Sequence, residues 1–150
     1  MRTSQKKQRR FYSGKKKRHT LKSQILVDYP SRSIICTAFA EGRMHDWKLL
    51  LESGVSFPKG LWALADSGYQ GLQHLTGNAL IPFKGSKHNP LTEARKAYNR
   101  MLSAYRVVVE NVIRFLKRFH ILTDRYRNRR KRFGLRFNLI AAIYNQELTL

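Results

Sequence analysis

From Thr92 to Phe119 the apolar residues Ala94, Tyr98, Met101, Leu102, Tyr105, Val109, Val112, Ile113 and Leu116 recur at spacings of 4, 3, 1, 3, 4, 3, 1 and 3. An α-helix gathers that pattern onto one side; a strand does not. Thr92 can cap the first turn through its side-chain oxygen. At about 1.5 Å per residue the helix runs on the order of 40 Å. Any fold for this chain has to accommodate that rod.

The remaining elements are shorter. Thr20 to Val27 (TLKSQILV) is rich in branched residues and stops at Asp28-Tyr-Pro-Ser, which predicts a strand and a turn. Ile34 to Phe39 then returns as the second arm of an antiparallel hairpin. Leu61 to Ala65 and Ala79 to Phe83 are apolar runs bounded by Gly, Asp and Pro, read as buried strands, although periodicity alone does not separate them from helix segments. His45 to Ser53 reads as a helix capped by Asp46 and ended at Gly54. A last helix, Phe133 to Gln146, is apolar enough through Leu139 to Tyr144 to dock on the body. Strand, strand, helix, strand, strand, long helix, basic loop, helix is an α/β order.

Charge narrows the partner. The chain carries 30 Lys plus Arg against 9 Asp plus Glu, a net +21, while 42% of its residues are hydrophobic. That apolar fraction excludes a wholly disordered basic tail. The surplus is most simply tolerated with a polyanion bound, nucleic acid first among them; heparin, the ribosome and anionic membrane surfaces share the arithmetic. Two blocks hold much of the charge. Ten Lys or Arg fall between Arg2 and Lys22 with no acid, and ten more between Arg114 and Arg136 with only Asp124 opposing them. The first block alone reads equally well as a solvated charge run. In the second, aromatic residues flank the arginine cluster up to Phe133, a composition suited to phosphate contact and stacking. The lone cysteine, Cys36, allows no intramolecular disulfide and no cysteine-based zinc site. With no apolar run near the roughly 20 residues of a membrane span and no signal-peptide pattern, the expected place is the cytoplasm.

So few acids can be weighed one at a time. Asp28 and Glu41 read as turn residues; Glu52, Glu93 and Glu147 lie near helix ends; Asp46 reads as a cap and Asp124 as an ion-pair partner of the surrounding arginines. Asp66 differs. It follows the strand Leu61 to Ala65 and opens Asp66-Ser-Gly-Tyr-Gln-Gly71, so its carboxylate leaves the C-terminal edge of a strand, where open α/β sheets bind ligands. A plain Asp-Ser-Gly turn accounts for the same residues. Glu110 is the other outlier, on the long helix with Arg106 four residues before it, Arg114 four after and Lys117 seven after. An i,i+4 ion-pair ladder explains that face, and so does a Mg²⁺ ligand set among cations that hold a phosphodiester.

Taken together, Phe11-Tyr-Ser-Gly-Lys-Lys-Lys-Arg-His-Thr-Leu-Lys22, Gly42-Arg-Met-His-Asp46, Ala65-Asp-Ser-Gly-Tyr-Gln-Gly71 and Arg106-x3-Glu110-x6-Lys117 resemble the DDE transposases of bacterial insertion sequences. The last of these is similar to the family signature Tyr-x2-Arg-x3-Glu-x6-Lys, with Ser103 at the Tyr position and Tyr105 out of register. The basic run to Phe133 and the helix after it match the family's usual ending. The resemblance implies an RNase H-like fold and a two-metal site for DNA cleavage and strand transfer, with Mg²⁺ or Mn²⁺ as cofactor. Asp66 matches the second carboxylate and Glu110 the third. Phosphates of the transposon ends would then meet Arg106, Arg114 and Lys117 on the helix, Lys15, Lys16 and Lys17 in the first block, and Arg129, Arg130 and Lys131 in the second. His45-Asp46 recurs in the family, and Asp46 is read here as structural.

The family's first aspartate lies on a strand upstream of the Tyr-Ser-Gly-Lys-Lys-Lys segment. No acid precedes Asp28 in this chain. The expectation is therefore an RNase H-like mixed sheet lacking its first strand: a basic arm at 1–18, a catalytic core at 19–123, and a basic loop with closing helix at 124–150. Such a C-terminal transposase fragment would not cut DNA alone, and its open strand edges would invite pairing with itself or a parent transposase. The alternative is a non-catalytic DNA-binding protein or regulator of transposition.

Overall fold

The branched and apolar residues of Leu21–Val27 (β3) and Ile34–Glu41 (β4) form the predicted antiparallel hairpin, with Leu21 opposite Glu41 and a register shift between Leu26 and Val27. Its turn is built by Asp28. The carboxylate accepts from the Ser31 backbone N–H at 3.0 Å and from the Ser31 hydroxyl at 2.5 Å, and these bonds hold its pKa below the usual value. Before the hairpin, Tyr12–Ser13 (β1) and Arg18–His19 (β2) make a two-residue antiparallel pair. The computed structural model describes residues 11–13, 18–123 and 132–150. Asp124 and the predicted phosphate-binding residues Lys15, Lys16, Lys17, Arg129, Arg130 and Lys131 lie outside them.

The chain divides into two units, residues 1–44 with 108–150 and residues 45–107. In the first, the closing helix Phe133–Glu147 (α5) packs on β4. The Ile34 N–H donates to Asn145 Oδ1 at 2.8 Å and the Ile34 carbonyl accepts from Asn145 Nδ2 at 2.9 Å, so one side-chain amide stands in for a neighbouring strand. Seven residues earlier on the helix, Asn138 Oδ1 accepts from the Thr37 hydroxyl at 2.6 Å. The core of this unit joins Ile34, Val112, Leu116, Phe133, Phe137, Ile140, Ala141 and Tyr144, with Phe39 and Phe115 against it. Phe39 meets Phe137 edge-on at 5.2 Å and Phe133 at 5.7 Å, the quadrupole-favoured arrangement. Gly134 makes room for that ring, since a Cβ there would stand 3.0 Å from Phe39 Cδ2.

In the second unit the helix Asp46–Glu52 (α1) buries Leu49 and Leu50. Its cap position is His45, with extended backbone, and Asp46 occupies the first turn without capping it. The sequence expectation for Asp46 is corrected on that point. Trp62–Leu64 (β5) and Asn78–Leu80 (β6) pair in parallel, joined through a 3₁₀ turn, Ser67–Tyr69, and a four-residue helix, Gln73–Thr76 (α2). These strands are not buried, contrary to expectation. They are three residues each, pair only with one another among the described residues, and leave Trp62 65% exposed.

The predicted rod is the helix Glu93–Lys117 (α3), followed by a short helix His120–Thr123 (α4). Thr92 Oγ1 accepts from the Arg95 N–H at 3.3 Å, the expected cap. Of the stripe, Leu102, Val112 and Leu116 are buried, whereas Ala94, Met101 and Tyr105 stay exposed, as do Arg114 and Lys117. Mixed α/β architecture is thus as read from the sequence. The described strands stand as three two-stranded pairs, β1 with β2, β3 with β4 and β5 with β6. No helix of the described residues is long and apolar enough to cross a membrane.

Candidate active site

Asp66 leaves the end of β5 as the sequence implied. The Ala65 N–H still donates to the Leu80 carbonyl at 3.0 Å, and one residue later the chain breaks into the 3₁₀ turn. Asp66 Oδ1 caps that turn by accepting from the Ser67 N–H at 2.6 Å, and the Asp66 carbonyl accepts from the Tyr69 N–H at 3.0 Å. The turn reading thus holds for this residue, whose side chain is 62% exposed just past a strand's C-terminal end. The exposure leaves carboxylate lone pairs available to a ligand.

Arg106, from the long helix, reaches this carboxylate. Its Nη1 lies 3.5 Å from Asp66 Oδ1, with 33% of its own side chain exposed. A pair this open to water is worth about 0–1 kcal/mol. Its value is positional, tying the strand end to a residue of the helical motif 40 positions away in sequence.

Asp46 also belongs to this neighbourhood. A Cβ on Gly68 would stand 2.9 Å from Asp46 Oδ2, so the missing side chain is what lets that carboxylate lie against the Asp66 turn. Tyr69 reports both acids. Burial first, then the charges of Asp46 and Asp66, push its hydroxyl up to about 12, so it stays protonated and able to donate a hydrogen bond across the neutral range. Sequence reasoning missed this proximity. The available signal was a glycine in the Asp66-Ser-Gly-Tyr turn together with an acid that α1 does not use as its cap.

Glu110 lies four residues beyond Arg106 on α3, exposed, with exposed Arg114 and Lys117 following at the spacing the sequence gives. It falls in the other unit. The structure thus joins Asp66 to Arg106 and strings Arg106, Glu110, Arg114 and Lys117 along one helix. At the signature's Tyr position, Ser103 donates its hydroxyl back to the Asn99 carbonyl at 2.9 Å. Among the described residues, no three His, Cys, Asp or Glu side chains come together as a metal-holding group. Oxygen donors such as Asp66 suit Mg²⁺ in kind; their number does not make a site.

Comparison of the whole chain with known proteins gives its class. A model of the DDE superfamily endonuclease family matches residues 1–145, and the chain belongs to that family. It is similar to a probable transposase for insertion sequence element IS702 from Microchaete diplosiphon, with 48% identity over 145 residues. The match takes in 97% of this chain and 52% of that protein, so the chain spans about half the length of the curated relative. No solved structure matches it significantly.

Proposed function

We propose that this chain works in DNA transposition as part of an insertion-sequence transposase catalytic domain of RNase H-like type, with Asp66 and Glu110 as two of its three carboxylates. The observation that supports this most is the Asp66–Arg106 pair, because it couples the strand-end acid to the helical motif bearing Glu110. Divalent cations on such carboxylates would supply an activated water or 3′-hydroxyl and offset charge building on the phosphodiester. The donors are right in kind and short in number, so no step is assigned through the metal.

The chain's own residues carry the rest of the reading. Arg106 balances the Asp66 charge while no harder cation is there, and Asp66 keeps its orientation through the Ser67 N–H. Arg114 and Lys117, exposed on α3, meet phosphates of the transposon end. The basic segments around Lys15, Lys16 and Lys17 and around Arg129, Arg130 and Lys131 add charge along the same polyanion. On this reading Asp66 and Glu110 alone do not complete the carboxylate set, and these 150 residues by themselves bind DNA without cutting it. A second copy or a parent transposase is the natural partner.

Manganese melting curves test the reading. Mn²⁺ is expected to raise the Tm of the wild-type chain and to leave Asp66→Asn and Glu110→Gln unmoved. An equal shift in all three, or in none, would count against Asp66 and Glu110 as metal-holding carboxylates.

A further inference from the structure

Phe83 is exposed, and the structure holds it still. It follows β6 as the third residue past Leu80, where the chain leaves the sheet, yet Asn99 takes both of its backbone groups. The Phe83 N–H donates to Asn99 Oδ1 at 2.9 Å, and Asn99 Nδ2 donates to the Phe83 carbonyl at 3.0 Å. The ring is then flanked. Tyr98 lies 5.2 Å away between centroids, and the Arg95 guanidinium sits 5.0 Å from the Phe83 centroid. Despite those neighbours, Phe83 remains 45% exposed. Nearly half of an apolar ring is thus left open to solvent, while two hydrogen bonds fix the backbone that carries it.

The surroundings are cationic. Every residue from Lys84 to Pro90 is exposed. Ser86 and Asn89 exchange backbone hydrogen bonds at 3.0 and 3.2 Å, closing a small loop that presents Lys87 and His88 at its tip. No acid occurs between Asp66 and Glu93, while Lys84 and Lys87 fall inside that stretch and Arg95 and Arg100 follow on exposed helix. A fixed aromatic face, a guanidinium beside it and lysines a few residues away are the parts from which single-stranded nucleic acid sites are made. Bases stack on the ring, and the cations follow the backbone.

We propose that Phe83 is a stacking platform for an unpaired DNA base, with Arg95 and Tyr98 bracing the ring and Lys84 and Lys87 contacting the adjacent phosphates. The proposal rests on the DNA-binding reading and adds a class of ligand to it: unpaired nucleotides, of the kind found at a nicked, frayed or flipped position. Phosphate contacts alone would not need the ring. Stacking would, and it tolerates any base because every base has a π face.

The test uses the whole chain, a duplex oligonucleotide, and the same duplex with a short single-stranded end carrying 2-aminopurine. Wild type is expected to bind both, to prefer the one with the unpaired end, and to quench the 2-aminopurine. Phe83→Leu should lose the quench and bind the unpaired end about tenfold more weakly, with duplex affinity unchanged. Phe83→Trp should keep both properties. Circular dichroism on each variant checks that the helices persist. Lys84→Gln with Lys87→Gln should weaken binding to both DNAs and flatten the salt dependence. If wild type binds duplex but Phe83→Leu matches it on the unpaired end, the platform is overturned and the DNA-binding reading stands. Wild type binding neither DNA would overturn both.

Discussion

Gly68 shows how a single absent Cβ organises a site. It lets the Asp46 carboxylate approach the Asp66 turn, and Tyr69 feels both acids as a pKa pushed up to about 12. The sign of the consequence follows from linkage. Below the unfolded value of 10.0 both states hold the phenol proton, and the stabilisation is fully present; as pH rises toward about 12 the unfolded chain ionises first and stability is lost. Tyr69→Phe should remove that part of the alkaline decline, measured by denaturant unfolding at about pH 9 and about pH 11. Tyr144, raised by burial, contributes a decline in the same direction that this variant leaves in place. Arg106→Gln separates two roles. Loss of an exposed ion pair should cost under about 1 kcal/mol in stability, while DNA affinity falls by considerably more. Equal stability and affinity losses would mean that Arg106 acts on DNA only through the fold. These residue-level relations were the least legible in sequence. Asp66 stood out as a lone acid after a strand, but its pairing with Arg106 and the approach of Asp46 cross long stretches of chain that no periodicity encodes.

Elements were far easier to read where the pattern had many terms. The long helix carries nine apolar positions in helical spacing, and the hairpin has a turn that Asp28 builds locally, so both formed within a few residues of expectation. The pair β5 and β6 went differently. Their apolar runs look like interior strands, yet each contributes only three residues to a parallel pair, and burial of a strand depends on neighbours that its own sequence does not specify. Two asparagines recur as a device at this scale. Asn145 closes the backbone of Ile34 and Asn99 that of Phe83, each by accepting from the N–H and donating to the carbonyl. Asn145→Leu would leave the part-buried Ile34 groups without that partner and is expected to cost about 1–3 kcal/mol in urea unfolding. Phe137→Ala, which empties the ring cluster around Phe39, should cost about 3–5 kcal/mol. The core phenylalanines could be guessed from the apolar closing helix; the asparagine clamps could not, because their partners are more than 15 residues away.

For the molecule as a whole, the +21 charge is the feature that the proposed DNA binding would use. Binding to duplex DNA should weaken linearly with log salt, with a slope near −0.9 per phosphate contact. A slope near zero would exclude the polyanion as the reason for the charge. The surplus is carried by a chain that presents Asp66 at a strand end and Glu110 on the long helix, the two acids to which the proposed function gives a common chemistry. The proposed function makes Asp66 and Glu110 two of three carboxylates and expects these 150 residues not to cut DNA by themselves. Supercoiled-plasmid nicking in Mg²⁺ tests that directly, comparing the chain alone with a fusion that adds the half of the IS702 relative it does not match. The expectation is no nicking by the chain alone, nicking by the fusion, and loss of that activity in the fusion on Asp66→Asn or Glu110→Gln. Nicking by the chain alone, or by a fusion carrying either substitution, would contradict it.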